Sequence, residues 1–218
     1  MTSNTKSASK DRRHNRARVA PGRGPQLSPA AFPHHPSVNG WIEAIVGSMF
    51  SGKTQELIRR LKLSTLAKQK VQVFNSVLDD RYGTRHIISH DKTRIPSIGV
   101  KDAGEILGLV RPETAVLGID EVQFLGPKII SVCEALADSG RRVIAAGLDQ
   151  DYRGRPFVVT AKLMAISEFV TKNLAVCSVC AGPANRTQRL SVSKNLIEVG
   201  AQDKYEARCR HCFQGPPK

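Results

Sequence analysis

The octapeptide Gly47-Ser48-Met49-Phe50-Ser51-Gly52-Lys53-Thr54 restricts the possible folds of this chain more than any other stretch. It matches in full the pattern of two glycines separated by four free positions and followed by Lys and Ser/Thr. Its flanks narrow the choice further. The apolar run Trp41–Val46 before it reads as a buried strand. Lys53–Lys68 after it has no proline or internal glycine, and Leu57, Ile58, Leu61 and Leu66 roughly share one helical face. A glycine-rich turn between strand and helix lets backbone N–H groups converge, and the helix N-terminus adds partial positive charge. These residues predict a phosphate cradle for a nucleoside triphosphate. Lys53 would neutralise the β- and γ-phosphates, and the Thr54 hydroxyl would coordinate Mg2+. The plainer alternative is a glycine-rich turn with a surface lysine.

Further apolar runs at Val71–Phe74, Ala115–Ile119 and Arg142–Ala146 read as strands. Ala103–Val110 reads as a helix, and so does the stretch from Pro127 to Asp138, closed by Ser139-Gly140. Such alternation predicts an α/β fold, a parallel P-loop sheet flanked by helices. Ser76 to about Val100 reads as mixed, polar and loop-like, with Asp79-Asp80-Arg81 at its start.

A P-loop needs a metal-side carboxylate at the tip of a neighbouring strand. Asp120 lies just past the run Ala115–Ile119, and Glu121 follows it. A carboxylate beside the Mg2+ site can accept the proton of an attacking hydroxyl or position water. Two adjacent acids at a strand end can also be an exposed cap.

Cys177-x-x-Cys180 and Cys209-x-x-Cys212 supply four thiolates suited to a tetrahedral structural Zn2+. Disulfides are the rival, but P-loop enzymes belong in reducing compartments. Cys133 sits alone in a predicted helix, as a core residue would. From about Leu174 short β-type stretches and glycines suggest a small second unit. The expected domains are therefore a basic extension at 1–40, an ATP-binding α/β domain at 41–173 and a zinc-binding unit at 174–218.

The net charge is +14, and its distribution is uneven. Residues 1–40 hold seven bases against Asp11, with five of the twelve prolines and little apolar periodicity. Such a segment cannot bury enough surface to offset its ordering entropy, so disorder is expected. Its Arg-rich, acid-poor character also fits an organelle transit peptide; otherwise a cytoplasmic protein is expected. No apolar run reaches the length needed to span a bilayer.

Gly147–Phe157 mixes aromatics and arginines beyond a strand end, where ligand sites of α/β sheets lie. Tyr152 and Phe157 read equally as anchors for a planar ring or as the loop's own small core. Taken with Gly47–Thr54, Asp79-Asp80-Arg81-Tyr82, Ile119–Phe124, Gly147-Leu148-Asp149, Arg153–Phe157 and Gly200–Tyr205 leading into Cys209–Phe213, this segment resembles the type II thymidine kinases. The resemblance covers roughly residues 41–213.

The resemblance implies transfer of the γ-phosphoryl group of ATP to the 5′-hydroxyl of thymidine, giving dTMP and ADP. It implies Glu121 as general base, with Asp120 and Thr54 at the Mg2+ site. Asp79, Asp80, Arg81 and Gln123 match positions on the ATP and Mg2+ side, Asp79 and Arg81 near the sugar and phosphates. Leu148, Tyr152 and Phe157 match positions around the thymine, with Met49 nearby. A zinc-anchored lasso loop, holding Thr187, Leu196, Ile197, Glu198, Val199, Gly200 and Tyr205, would grip the base largely through main-chain bonds. A homotetramer inhibited by dTTP is also implied. Val122 and Tyr152 depart from the usual small residue and phenylalanine, and Ala181-Gly182-Pro183 follows the first cysteine knuckle unusually.

Two other readings compete. One is a P-loop ATPase that grips nucleic acid with its zinc unit, although the globular part shows no dense basic stripe and stable nucleic-acid binding is not expected. The other is a non-enzymatic nucleotide-binding scaffold, which intact Lys53, Thr54, Asp120 and Glu121 oppose.

Overall fold

The computed structural model describes Met1 and residues 40–78, 86–88, 93–190 and 204–215. The chain divides into two units, Met1–Pro33 and His34–Lys218, and every element below belongs to the second. In chain order these are β1 (Trp41–Gly47), α1 (Lys53–Leu66), β2 (Val71–Ser76), β3 (His86–Ile88), β4 (Arg94–Pro96), β5 (Ile98–Val100) and α2 (Gly104–Leu109). Next come β6 (Val116–Asp120), a 3-10 turn (Val122–Phe124), α3 (Ile129–Asp138), β7 (Arg142–Leu148), α4 (Val158–Ile166) and β8 (Phe169–Asn173). The last are β9 (Ala175–Val176), β10 (Pro183–Ala184), β11 (Arg186–Arg189) and β12 (Tyr205–Arg208).

Six strands form one sheet in the order β5-β2-β6-β7-β1-β8, every pair parallel. The four expected strands are its centre, and β5 and β8 extend it at the two edges. Neither edge strand announces itself in sequence. β5 is three residues long, and β8 alternates half-buried with exposed positions. The loop-like reading of Ser76–Val100 also gives way to the short antiparallel pair β3–β4. Helix α4 escaped the periodicity because it opens on Val158-Val159-Thr160, a β-branched run of low helix propensity.

Period-two alternation sends the strand side chains into two cores. On one face Ala44 and Val46, Leu117 and Ile119, and Val143 and Ala145 meet Val132, Cys133 and Leu136 of α3 and Leu163 of α4. On the other, Ile45, Val73, Ile144 and Ala146 meet Leu57, Ile58 and Leu61 of α1. Burying each such side chain contributes about 1.5–3 kcal/mol relative to exposure. Cys133 is fully buried, and burial pushes its thiol up to about 12, so it packs as a neutral apolar group.

A polar cluster sits among the residues of the α1 face. Glu43 of β1 is fully buried and accepts from Arg60 Nη1 at 2.7 Å, Arg142 Nε at 2.6 Å and Trp41 Nε1 at 2.8 Å. Arg60 also donates to Glu56 and Thr171. Helix α1 is thereby fixed to β1, β7 and β8 by charge as well as by its leucines.

Register aligns the strand tips. Gly47 lies level with Leu148 on one side and Asn173 on the other, and Asn75 with Asp120. The carboxyl ends of the parallel strands therefore form one edge, the place where open α/β sheets bind ligands. Beyond it lie two antiparallel pairs, β9–β10 and β11–β12. Their small core is Ala175, Cys177, Ala184 and Ala207, against which Phe50, Cys209 and Cys212 pack.

Candidate active site

The strand β1 ends in a residue that must be glycine. Gly47 has φ 152°, and a Cβ there would lie 2.4 Å from the Asn173 carbonyl oxygen and 2.7 Å from Ser51 Oγ. The chain then loops through Ser48–Gly52 into the N-terminus of α1. Lys53 is nearly buried and donates from Nζ to the Ser48 carbonyl at 2.8 Å, so its ammonium lies within the loop. The Ser48 and Ser51 hydroxyls are buried without a hydrogen-bond partner among the described residues. Buried donors of this kind are what phosphate oxygens satisfy. A cavity of about 440 Å³ opens beside the loop, lined by Ser51, Gly52, Gln55, Arg59, Thr93 and Asn173 among others.

Phe50 has a left-handed backbone, φ 64°, uncommon for a residue with a Cβ. Its ring packs on the Ala175, Cys177, Ala184 and Ala207 core, so the strained turn docks the loop against the cysteine-bearing unit. The preceding residue makes a second tie, Met49 N–H donating to Thr187 Oγ1 at 3.1 Å.

At the tip of β6 Asp120 faces α1. Thr54 Oγ1 donates to Asp120 Oδ2 at 3.0 Å, and the Glu121 N–H donates to Asp120 Oδ1 at 3.0 Å. Burial, then the neighbouring Glu121 charge, raises the Asp120 carboxyl from 3.8 to about 7, against the lowering effect of Thr54, the Glu121 N–H and Lys53. A buried carboxylate with a hydroxyl beside it is a hard-oxygen donor set of the kind that Mg2+ takes. Glu121 itself is left-handed, φ 53° and ψ 40°, where β6 gives way to the 3-10 turn. Its Oε2 accepts from Gln123 Nε2 at 2.5 Å. The exposed-cap alternative does not describe Asp120, which is 5% exposed.

The aromatic residues gather around one arginine. Arg189, on β11, is 2% exposed, with its guanidinium carbon 3.6 Å from the Tyr152 ring centroid and 5.3 Å from that of Tyr205. Its Nη2 also donates to Tyr205 Oη at 2.8 Å. Arg153 Nε donates to the Tyr152 hydroxyl at 3.0 Å. Sequence reasoning passed over Arg189. No local pattern announces it, because the two tyrosines that enclose it come from separate segments. Leu148 closes β7, and Phe157 precedes α4 with its N–H on the Asp149 carbonyl at 3.1 Å. Lys172 pairs with Asp149 at 2.8 Å, a contact that no local pattern announces. Asp79, Asp80, Arg81, Leu196, Ile197, Glu198, Val199 and Gly200 lie outside the described residues.

The four cysteines converge. Cys177, Cys180, Cys209 and Cys212 bring their sulfurs within 4.8 Å of one another, and Cys180 Sγ lies 3.6 Å from Cys209 Sγ. A tetrahedron with metal–sulfur bonds of about 2.3 Å has sulfur–sulfur edges of about 3.8 Å, so the set has metal-binding dimensions. The four sulfurs do not share one tendency: Cys177 and Cys209 are drawn toward the thiolate, whereas the Cys209 sulfur, then burial and the Cys180 and Cys177 sulfurs, push the Cys212 thiol up to about 12. Desolvation opposes the thiolate at Cys177, but backbone donors from Cys209, Cys180 and Val179 prevail and bring its pKa down to about 6. The cluster is a candidate metal site with four sulfur donors, enough to fill a tetrahedral coordination shell.

The family profile described as thymidine kinase matches residues 40–213. The chain belongs to the thymidine kinase family. Similar curated proteins agree. A thymidine kinase of Rhodothermus sp. (strain ITI 518) is 48% identical over 190 residues, covering 87% of this chain and 88% of that protein. One from Bdellovibrio bacteriovorus is 51% identical over 175 residues, covering 80% of this chain and 86% of that protein. As a member of this family the chain is a kinase, and the P-loop with its acidic neighbours is where a kinase site belongs. Among the described residues, no helix is long and apolar enough to cross a membrane.

Proposed function

We propose that this kinase transfers the γ-phosphoryl group of ATP to the 5′-hydroxyl of thymidine, giving dTMP and ADP. One juxtaposition carries the reading. The P-loop residue Thr54 is bonded to Asp120, and the next residue, Glu121, stands at the same sheet edge as Leu148 and the Tyr152–Arg189–Tyr205 group. Together these residues offer a phosphate cradle, a candidate base and a buried group of two tyrosines around one arginine.

In this reading the Gly47–Thr54 amides and Lys53 hold the triphosphate, and the Ser48 and Ser51 hydroxyls take phosphate oxygens. Thr54 and Asp120 would hold Mg2+, which supplies charge neutralisation at the phosphates when bound. Glu121 accepts the proton of the thymidine 5′-hydroxyl as it attacks. Met49, Leu148, Tyr152, Phe157, Thr187 and Tyr205 enclose the base, with the segment Leu196–Gly200 contributing main-chain bonds. Asp79, Asp80 and Arg81 serve the sugar and phosphate side. The rest of the nucleotide has room in the cavity beside Gly52.

The metal at Cys177, Cys180, Cys209 and Cys212 is structural Zn2+ in this reading, because all-thiolate closed sets suit zinc and leave no position for substrate. The proposed division is a basic extension at 1–40, an ATP-binding domain at 41–173 and a zinc-binding unit at 174–218. We infer a cytoplasmic homotetramer with dTTP as end-product inhibitor.

Transfer of radiolabel from γ-labelled ATP, tried on the four deoxynucleosides, tests the assignment. Thymidine should be labelled far above the others. Equal labelling of all four, or nucleoside-independent release of phosphate, would overturn it.

A further inference from the structure

Gln123 lies on the 3-10 turn that follows the acidic pair, and it is 7% exposed. Both ends of its amide are engaged. Oε1 accepts from the Leu148 N–H at 2.9 Å, and Nε2 donates to Glu121 Oε2 at 2.5 Å. The backbone donor fixes which amide atom faces which partner, because only the oxygen can accept from Leu148 N–H. The amide nitrogen is therefore committed to the carboxylate.

The surroundings are shaped for this bridge. A Cβ at position 147 would lie 2.6 Å from Gln123 Oε1 and 2.7 Å from Val122 Cγ2, so only glycine leaves the space. Glu121 meanwhile sits in a left-handed conformation that costs energy unless its surroundings hold it. The Phe124 N–H returns to the Glu121 carbonyl at 3.0 Å and holds the backbone. Gln123 acts on the carboxylate itself, through the bond from its Nε2 to Glu121 Oε2.

We propose that Gln123 is a positioning residue: it aims the Glu121 carboxylate at the nucleoside hydroxyl and ties it to the end of β7. The inference rests on Glu121 being the base, as argued above. A neutral amide suits the task. It restrains the carboxylate through a hydrogen bond without the charge of Lys or Arg, which would stabilise the ionised form and weaken it as a base. Displacing a catalytic group by about 1 Å can cost ~10²-fold in rate, so orientation alone is worth holding. The same bridge places the base and the pocket wall at Leu148 on one strut.

The test is a double-mutant cycle on the full chain, read by steady-state kinetics. Gln123→Met keeps the shape and removes both hydrogen bonds. It should lower kcat by ~10-fold or more while leaving the KM for thymidine and for ATP within ~3-fold. In a Glu121→Gln background the same change should cost less than ~2-fold, since no base remains to be aimed. Gln123→Glu keeps an acceptor for Leu148 N–H but loses the donor, and should lose at least as much kcat as Gln123→Met. It also serves if the methionine variant unfolds. If the penalties multiply in the double variant, if the KM for ATP carries the loss, or if Gln123→Glu turns over normally, the inference falls. A wild-type protein inert toward thymidine would remove the functional reading and this inference together, whereas an active wild type with multiplying penalties removes the inference alone.

Discussion

Met49 donates its backbone N–H to the Thr187 hydroxyl at 3.1 Å, so a phosphate-cradle residue is bonded to a strand of the cysteine-bearing unit. With Phe50 packed on the core of that unit, the two halves of the candidate site are mechanically joined within four residues of Lys53. Thr187→Val keeps the shape and removes the acceptor. One such bond is worth about 1 kcal/mol, roughly fivefold in affinity. Calorimetry should show both ATP and thymidine binding weakened to that degree, with Thr187→Ser close to wild type. If only thymidine binding changes, the tie does not reach the cradle.

Metal loss should propagate along the same route. Cys177, Cys209 and Cys212 belong to the core that receives the Phe50 ring. Chelation, or Cys177→Ser, should therefore lower the thermal midpoint and also weaken nucleotide binding. Metal analysis with parallel thermal scans checks both. Native protein lacking zinc, or a Cys177→Ser variant with unchanged ATP affinity, would contradict this.

Legibility in the sequence followed contiguity. The cradle, the acidic pair and the paired cysteines are each written in a few consecutive residues whose types are set by local chemistry, and each stood out. Central strands stood out for a related reason, since burial on both faces leaves a continuous apolar run. Edge strand β8 is half wet, so Phe169–Asn173 carries no such run. Arg189 and Gln123 were opaque in a different way. An arginine at the end of a short strand has no reason to be buried until two tyrosines from separate segments enclose it. Gln123 matched a nucleotide-side position by resemblance, but its partners, Glu121 and Leu148, depend on how β6 and β7 are paired.

That buried arginine makes a specific prediction. Arg189 stacks on Tyr152 and bonds the Tyr205 hydroxyl, holding two candidate pocket residues together. Lysine keeps the charge but loses the planar stack and the fork of donors. Arg189→Lys should raise the KM for thymidine by ~10-fold or more and change the KM for ATP much less. Equal effects on both would point to general loosening of the fold.

Acidity at Asp120 gives two opposite pH trends. Its carboxyl is raised from 3.8 to about 7 in the folded chain, chiefly by burial and then by the Glu121 charge. The folded state therefore keeps a proton that the unfolded chain releases near 3.8. Stability from this group is fully present below that value and is lost as pH rises through about 7. Without divalent cations, urea unfolding should show the wild type losing stability across this window relative to Asp120→Asn. Affinity for Mg2+ with ATP should run the other way, strengthening as the proton leaves. Parallel stability curves for wild type and Asp120→Asn would show that this carboxyl titrates normally.

The charge cluster beneath α1 should control stability with little effect on chemistry. Glu43 is fully buried and is the common acceptor for Arg60, Arg142 and Trp41. Removing a buried partner leaves its counter-charges uncompensated, which typically costs about 3–5 kcal/mol. Arg60 keeps Glu56 at 2.7 Å and Thr171 at 2.8 Å, so its own loss is partly offset. Arg142 keeps Ser64 at 3.1 Å and the Trp41 ring at 5.8 Å. Both are weaker than a carboxylate, and the penalty should therefore fall mainly at β7. Glu43→Ala should lower the urea midpoint sharply, with Glu43→Gln intermediate because it keeps one acceptor. Turnover per folded molecule should stay within ~3-fold of wild type, since residues 47–54 and the acidic pair lie at the opposite end of the strands from residue 43. Loss of turnover at full stability would mean that the seat of α1 sets the geometry of Lys53 and Thr54, and that this cluster belongs to the catalytic apparatus.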